Sequence, residues 1–96
     1  MLVLVTYDIA VSSKNGARRL QQSAKICSNY GRRVQNSVYE CLVDSTELQK
    51  LKHEILSVID ETQDTVRFYR LGNNYKSKVE YYGLDNGTDA DGDLIF

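Results

Sequence analysis

The sequence predicts an α+β fold, an antiparallel sheet with two helices packed on one face, in the order β-α-β-β-α-β. Three observations predict it: an almost wholly apolar opening strand, two stretches of helical period enclosing two short strands, and a closing stretch that alternates with period two. At 96 residues the chain makes one folding unit, and a unit this small gains by burying a sheet face against a twin. Hydrophobic residues at 42% and charged residues at 26% suit a folded soluble domain, and no apolar run is long enough to span a bilayer. The opening MLVLVTY lacks a basic start and meets Asp8 at once, so no signal peptide is read there and a cytoplasmic protein is expected.

Met1 to Tyr7 has no polar face and reads as a central strand covered on both sides. Asp8 ends it, and Ser12, Ser13, Asn15 and Gly16 supply turn and capping chemistry. From Lys14 to Tyr30, Ala17, Leu20, Ala24 and Cys27 recur at helical steps as the expected core stripe. Lys14, Arg18 and Lys25 share another face with Arg19 nearby, and Gly31 stops the helix. Arg32 to Val43 reads as two short strands joined near Asn36, with Glu40 pairing an arginine. Asp44 or Ser45 caps a second helix whose stripe is Leu48, Leu51, Ile55, Val58 and Ile59, with His53 at its boundary. Thr65 to Leu71 alternates, Val66 and Phe68 against Arg67, Tyr69 and Leu71. Gly72, Asn73 and Asn74 turn the chain, and Lys78 to Tyr82 is expected to add a short last strand. This order matches the ferredoxin-like arrangement in residues 1–82, followed by an acidic tail over 83–96. The helix-free face must be wet, cover RNA, or meet a copy of itself, and the first strand is too apolar to be wet. No exposed aromatic pair of the kind an RRM needs is left on it.

Net charge is −1, but residues 1–43 carry Lys14, Arg18, Arg19, Lys25, Arg32 and Arg33 against only Asp8 and Glu40. A basic front on a neutral chain suggests a polyanion on one surface, although solvated helix charges give the same composition. Arginine forks and counterion release suit Arg18, Arg19, Arg32 and Arg33, with Lys14, to phosphate contacts, and nothing is placed to read base edges. The seven tyrosines offer stacking faces, but the apolar pattern places most of them in the core or an interface. Cys27 and Cys41 read as small buried hydrophobes, and with His53 they are too few for a zinc site. Asp85, Asp89, Asp91 and Asp93 lack the glycine and glutamate of a calcium loop, so the tail reads as an acidic segment with an apolar hook at Leu94–Phe96.

Asp8 is the sharpest candidate for chemistry. It is an acid at the carboxyl end of a rigid strand, and its oxygens suit Mg²⁺ or Mn²⁺ bridging to phosphate. A turn-forming aspartate is the plainer alternative. One carboxylate is too few for a strong metal site, and a two-fold dimer would bring two copies together. With no HExxH, phosphate-binding loop or Ser-His-Asp pattern, metal-assisted phosphodiester hydrolysis is the enzyme reading that fits.

The stretches VLVTYD, GRRVQNSVYEC and RFYRLGNNY, in order across residues 1–82, resemble the Cas-two family of CRISPR-associated proteins, especially forms from compact type I systems. The resemblance implies a homodimer joined sheet to sheet, with a short C-terminal strand exchanged between subunits. It implies that Asp8 is the metal-associated acid, supported by Tyr7, Arg33, Ser37 and Tyr39, and that Lys14, Arg18 and Arg19 meet duplex DNA. The implied role is spacer acquisition with the CRISPR integrase, with metal-dependent endonuclease activity on double-stranded DNA or single-stranded RNA. A non-catalytic DNA-binding scaffold, or a toxin-like endoribonuclease related to the virulence-associated D proteins, is the alternative.

Overall fold

A computed structural model describes residues 1–83. Its strands are β1 (Leu2–Asp8), β2 (Gly31–Gln35), β3 (Val38–Leu42) and β4 (Thr65–Gly72), with helices α1 (Gly16–Ser28) and α2 (Ser45–Val58). The sheet order is β2-β3-β1-β4 and every neighbouring pair is antiparallel. The expected ferredoxin-like α+β fold is the fold observed.

Strand alternation divides the sheet into two faces. Val3, Val5 and Tyr7 of β1 join Tyr39 and Cys41 of β3 beneath the helices, where Cys27 of α1 and Leu48, Leu51 and Ile55 of α2 close the core. Residues of the other parity, including Leu4, Thr6, Asp8, Glu40, Arg67 and Tyr69, lie on the helix-free face. There β1 is not fully covered: Leu4 and Thr6 are only partly buried, and Leu42 beside them is 57% exposed. Phe68 and Val66 of β4 turn toward the core, as their alternation predicts.

α2 follows the sequence closely. The Asp44 side chain accepts from the Glu47 backbone N–H at 2.7 Å, and the Glu47 carboxylate accepts from the Asp44 N–H at 3.0 Å. This capping box satisfies two donors at the helix start. The stripe is fully buried at Leu48, Leu51 and Ile55 and partly at Val58 and Ile59, while His53 is exposed.

α1 is rotated from its expected stripe. Gly16, Arg19, Ser23 and Cys27 are its buried residues, whereas Ala17 is exposed. The reason is an internal ion pair that turns Arg19 inward, described below. The start of α1 also differs: Asn15 occupies the N-cap in left-handed conformation (φ 60°) and makes no side-chain cap bond. Gly16 is required by close packing, since a Cβ there would strike the Ala10 carbonyl oxygen and the Val11 backbone.

The expected last strand does not form in the single chain. Lys76–Lys78 makes one 3₁₀ turn, and beyond it Val79 has extended backbone without a ladder partner. A strand needs a neighbour to satisfy its N–H and C=O groups, and the neighbour expected for this one belongs to a second subunit. Residues 78–80 instead line a groove over the helix-free face with Leu4 and Tyr69. The acidic tail and its Leu94–Phe96 hook lie outside the described residues.

Candidate functional site

β1 carries Asp8 to the end of the sheet, where its cross-strand partner is Thr65. Asp8 is exposed, and alternation places it on the helix-free face with Thr6. A cleft of about 280 Å³ opens there, walled by Thr6, Tyr7, Asp8, Thr65, Arg67 and Tyr69. The two threonine hydroxyls and the carboxylate are hard oxygen donors of the kind Mg²⁺ and Mn²⁺ prefer. Among the described residues no cluster of three or more His, Cys, Asp or Glu side chains could enclose an ion. Asp8 therefore fits half of an open site, to be completed by a second carboxylate or by substrate phosphate. Arg67 is the one cation in the wall, and its Nη1 donates to the Tyr69 hydroxyl at 3.2 Å.

Of the supporting residues expected around Asp8, Tyr7 borders its cleft, while Arg33, Ser37 and Tyr39 are not in the lining. Tyr7 and Tyr39 are buried beneath the helices, with ring centroids 6.2 Å apart and planes at 25°. Burial, then the charge of Tyr39, pushes the Tyr7 hydroxyl well above its ordinary range, so it stays protonated at neutral pH. Arg33 lies opposite Tyr39 in the β2–β3 ladder, close enough to offset part of that shift. These three form a group whose side chains share the parity of the covered face; Tyr7, next to Asp8 on β1, also borders the Asp8 cleft, whereas Tyr39 and Arg33 do not line it. Ser37 sits in the β2–β3 turn with φ 74°, and its carbonyl accepts from the Tyr7 N–H at 3.1 Å. Its visible work is to hold the turn against β1.

Arg19, expected on the nucleic-acid surface, is turned inward. Its Nε donates to Asp64 at 2.7 Å, and its two Nη atoms donate to the Lys14 carbonyl, the Ser13 hydroxyl and the other Asp64 oxygen. Asp64 also accepts from the Ala10 and Asp60 N–H groups, and the Arg19 hydrogen bond leads in holding its carboxyl down at about 2. These bonds engage four of the five guanidinium N–H groups inside the fold, although Arg19 still borders the cleft lined by Lys14 and Arg18. Sequence reading missed Asp64, whose only signal was an acid immediately before an alternating strand. The pair pins the loop after Asp8 to the residue preceding Thr65, so it braces the cleft from beneath.

Lys14 and Arg18 remain exposed, as expected, and line a broad cleft of about 560 Å³ with Arg19, Gln22, Gln63 and one acid, Asp60. Arg32 is partly buried and lies 4.0 Å from Glu40, the arginine–glutamate pairing anticipated for that strand. Its place on the helix-free face makes it a cross-sheet partner rather than part of the Lys14–Arg18 surface. Cys27 and Cys41 are fully buried, and desolvation pushes their thiols to about 12 and about 11.

The fold and the cleft together define a small ferredoxin-like protein with an acidic strand end on an open sheet face. The family model for CRISPR associated protein Cas2 matches residues 1–79, and the chain belongs to that family. It is 58% identical over 96 residues to the CRISPR-associated endonuclease Cas2 of Halalkalibacterium halodurans, with all of both chains covered. It is 48% identical over 95 residues to the CRISPR-associated endoribonuclease Cas2 of Nitratidesulfovibrio vulgaris, covering 99% of this chain and 93% of that one. The crystal structure of Streptococcus pyogenes Cas2 at pH 6.5 superposes with a TM-score of 0.76 at 48% identity, covering 86% of this chain and all of the other. Among the described residues no helix is long and apolar enough to cross a membrane.

Proposed function

We propose that this chain is a CRISPR-adaptation protein that acts as a homodimer on nucleic acid, with a divalent-metal-dependent endonuclease site at Asp8. The observation that carries the reading is the exposed Asp8 carboxylate in a cleft on the helix-free face. Two copies meeting through that face would supply the second carboxylate that one chain lacks. Relatives named endonuclease and endoribonuclease support phosphodiester cleavage in either DNA or RNA. Family membership supports this reading over the toxin-like alternative, which a CRISPR array and integrase gene beside this one would remove.

In the hydrolysis a water oxygen forms a new P–O bond, the bridging oxygen leaves with a proton, and the phosphate keeps the negative charge. Asp8 would hold Mg²⁺ or Mn²⁺, which when bound supplies Lewis-acid neutralisation of the phosphate. Thr6 and Thr65 set two more hydroxyl oxygens beside Asp8, and Asp64, held by Arg19, accepts from the Ala10 N–H and so ties down the loop after Asp8. Lys14 and Arg18 give a sequence-independent grip on backbone phosphates.

The exposed Lys14–Arg18 surface also supports a scaffold role, in which duplex DNA and the CRISPR integrase are bound without cleavage. One experiment separates the two: labelled duplex DNA and single-stranded RNA incubated with and without Mg²⁺, beside Asp8→Asn. The nuclease reading expects metal-dependent cuts that vanish in the variant while duplex binding persists. Cuts that survive the substitution would refute the site, and binding without any cuts in the wild type would leave the scaffold alone.

A further inference from the structure

We propose that Arg67, held by Tyr69, is the phosphate-binding cation of the Asp8 cleft; this rests on the nuclease reading above. The cleft brings together one anion and one cation from neighbouring strands, for Thr6 pairs with Arg67 and Asp8 pairs with Thr65. A carboxylate alone repels an approaching phosphodiester. A fixed cation one row away on the same face lowers that cost and gives the substrate a second point of attachment.

Arg67 has the geometry for this. It is exposed in the single chain, and it forms no ion pair among the described residues. Its partner in the fold is the Tyr69 hydroxyl, which accepts from one nitrogen, Nη1, and leaves the rest of the guanidinium edge for a ligand. That acceptor pushes Arg67 further upward from its ordinary value, so the cation is permanent. The planar fork can donate two parallel N–H bonds to the non-bridging oxygens of a phosphate. Those oxygens gain the charge that must be stabilised when the P–O bond breaks, so an arginine there favours the transition state over the ground state. The contrast with Arg19 is instructive: both are arginines near the same sheet end, but Arg19 spends its donors on Asp64, Lys14 and Ser13.

The test compares wild type, Arg67→Gln, Arg67→Lys, Tyr69→Phe and Asp8→Asn in Mn²⁺-dependent cleavage, with Mn²⁺ binding followed by electron paramagnetic resonance and subunit state by light scattering. Arg67→Gln should lower kcat/KM by roughly 100-fold. It should leave Mn²⁺ affinity equal or higher, because a cation has been removed beside the ion. Arg67→Lys should recover part of the loss through charge without the fork, and Tyr69→Phe should cost about tenfold or less by loosening the guanidinium. Full activity in Arg67→Gln, with Asp8→Asn dead, overturns the assignment. Dissociation of the Arg67→Gln dimer overturns it too, marking an interface residue. Cleavage by Asp8→Asn at the wild-type rate sinks the underlying nuclease reading instead.

Discussion

Asp8 and Asp64 end up one strand apart, yet one is exposed beside open sheet and the other is fully enclosed by donors. Asp64 is the structural acid. Replacing it with alanine leaves Arg19 buried and uncompensated, which should cost about 3 kcal/mol in urea unfolding. Because the folded carboxyl sits at about 2, below its ordinary 3.8, its contribution is complete above about pH 5 and lost as the pH falls through about 2. Acid titration followed by circular dichroism should therefore show wild type losing stability across that window and Asp64→Ala losing less there. The cysteines offer a second check at this scale. With both thiols buried and held far above neutral pH, neither should react with iodoacetamide until denaturant unfolds the chain, and rapid native labelling would contradict their placement.

The elements divide by how honestly polarity reports burial. β1, β4 and α2 were legible because their apolar residues face the core at the period their geometry demands, and the Asp44–Glu47 box announces where α2 begins. Asp44→Ala should accordingly lower stability by about 1 kcal/mol in thermal or chemical unfolding. α1 misled the pattern because Arg19 and Ser23 are buried while Ala17 is not, an inversion created by a partner forty-five residues away. No helical period can reveal a pairing of that separation. Tyr7 and Tyr39 were identified as important, but whether a strand residue faces cleft or core depends on register, and one step of parity separates Tyr7 from Asp8. The last strand, read over Lys78 to Tyr82 and expected to be exchanged with a second subunit, does not form within the single chain. Asp8 itself was legible because it interrupts an apolar strand, whereas Arg67 was read only as one member of an alternating face.

At the scale of the whole molecule, the two candidate surfaces are separate: the Asp8 cleft opens on the helix-free face, and Lys14 with Arg18 lines a different cleft at the start of α1. The separation allows grip and cleavage to be removed one at a time. Lys14→Ala with Arg18→Ala should weaken duplex binding and flatten the slope of log K against log salt by about one unit per lost contact, while Mn²⁺ binding is unchanged. An unaltered slope would show that duplex lies elsewhere. The central claim is that two chains join through their open sheet faces and share one divalent ion between their Asp8 carboxylates. A Mn²⁺ titration of the purified protein tests it most directly: one ion per two chains, lost in an Asp8→Asn protein that is still dimeric, is the predicted result. Mn²⁺ binding that persists undiminished in Asp8→Asn would contradict it.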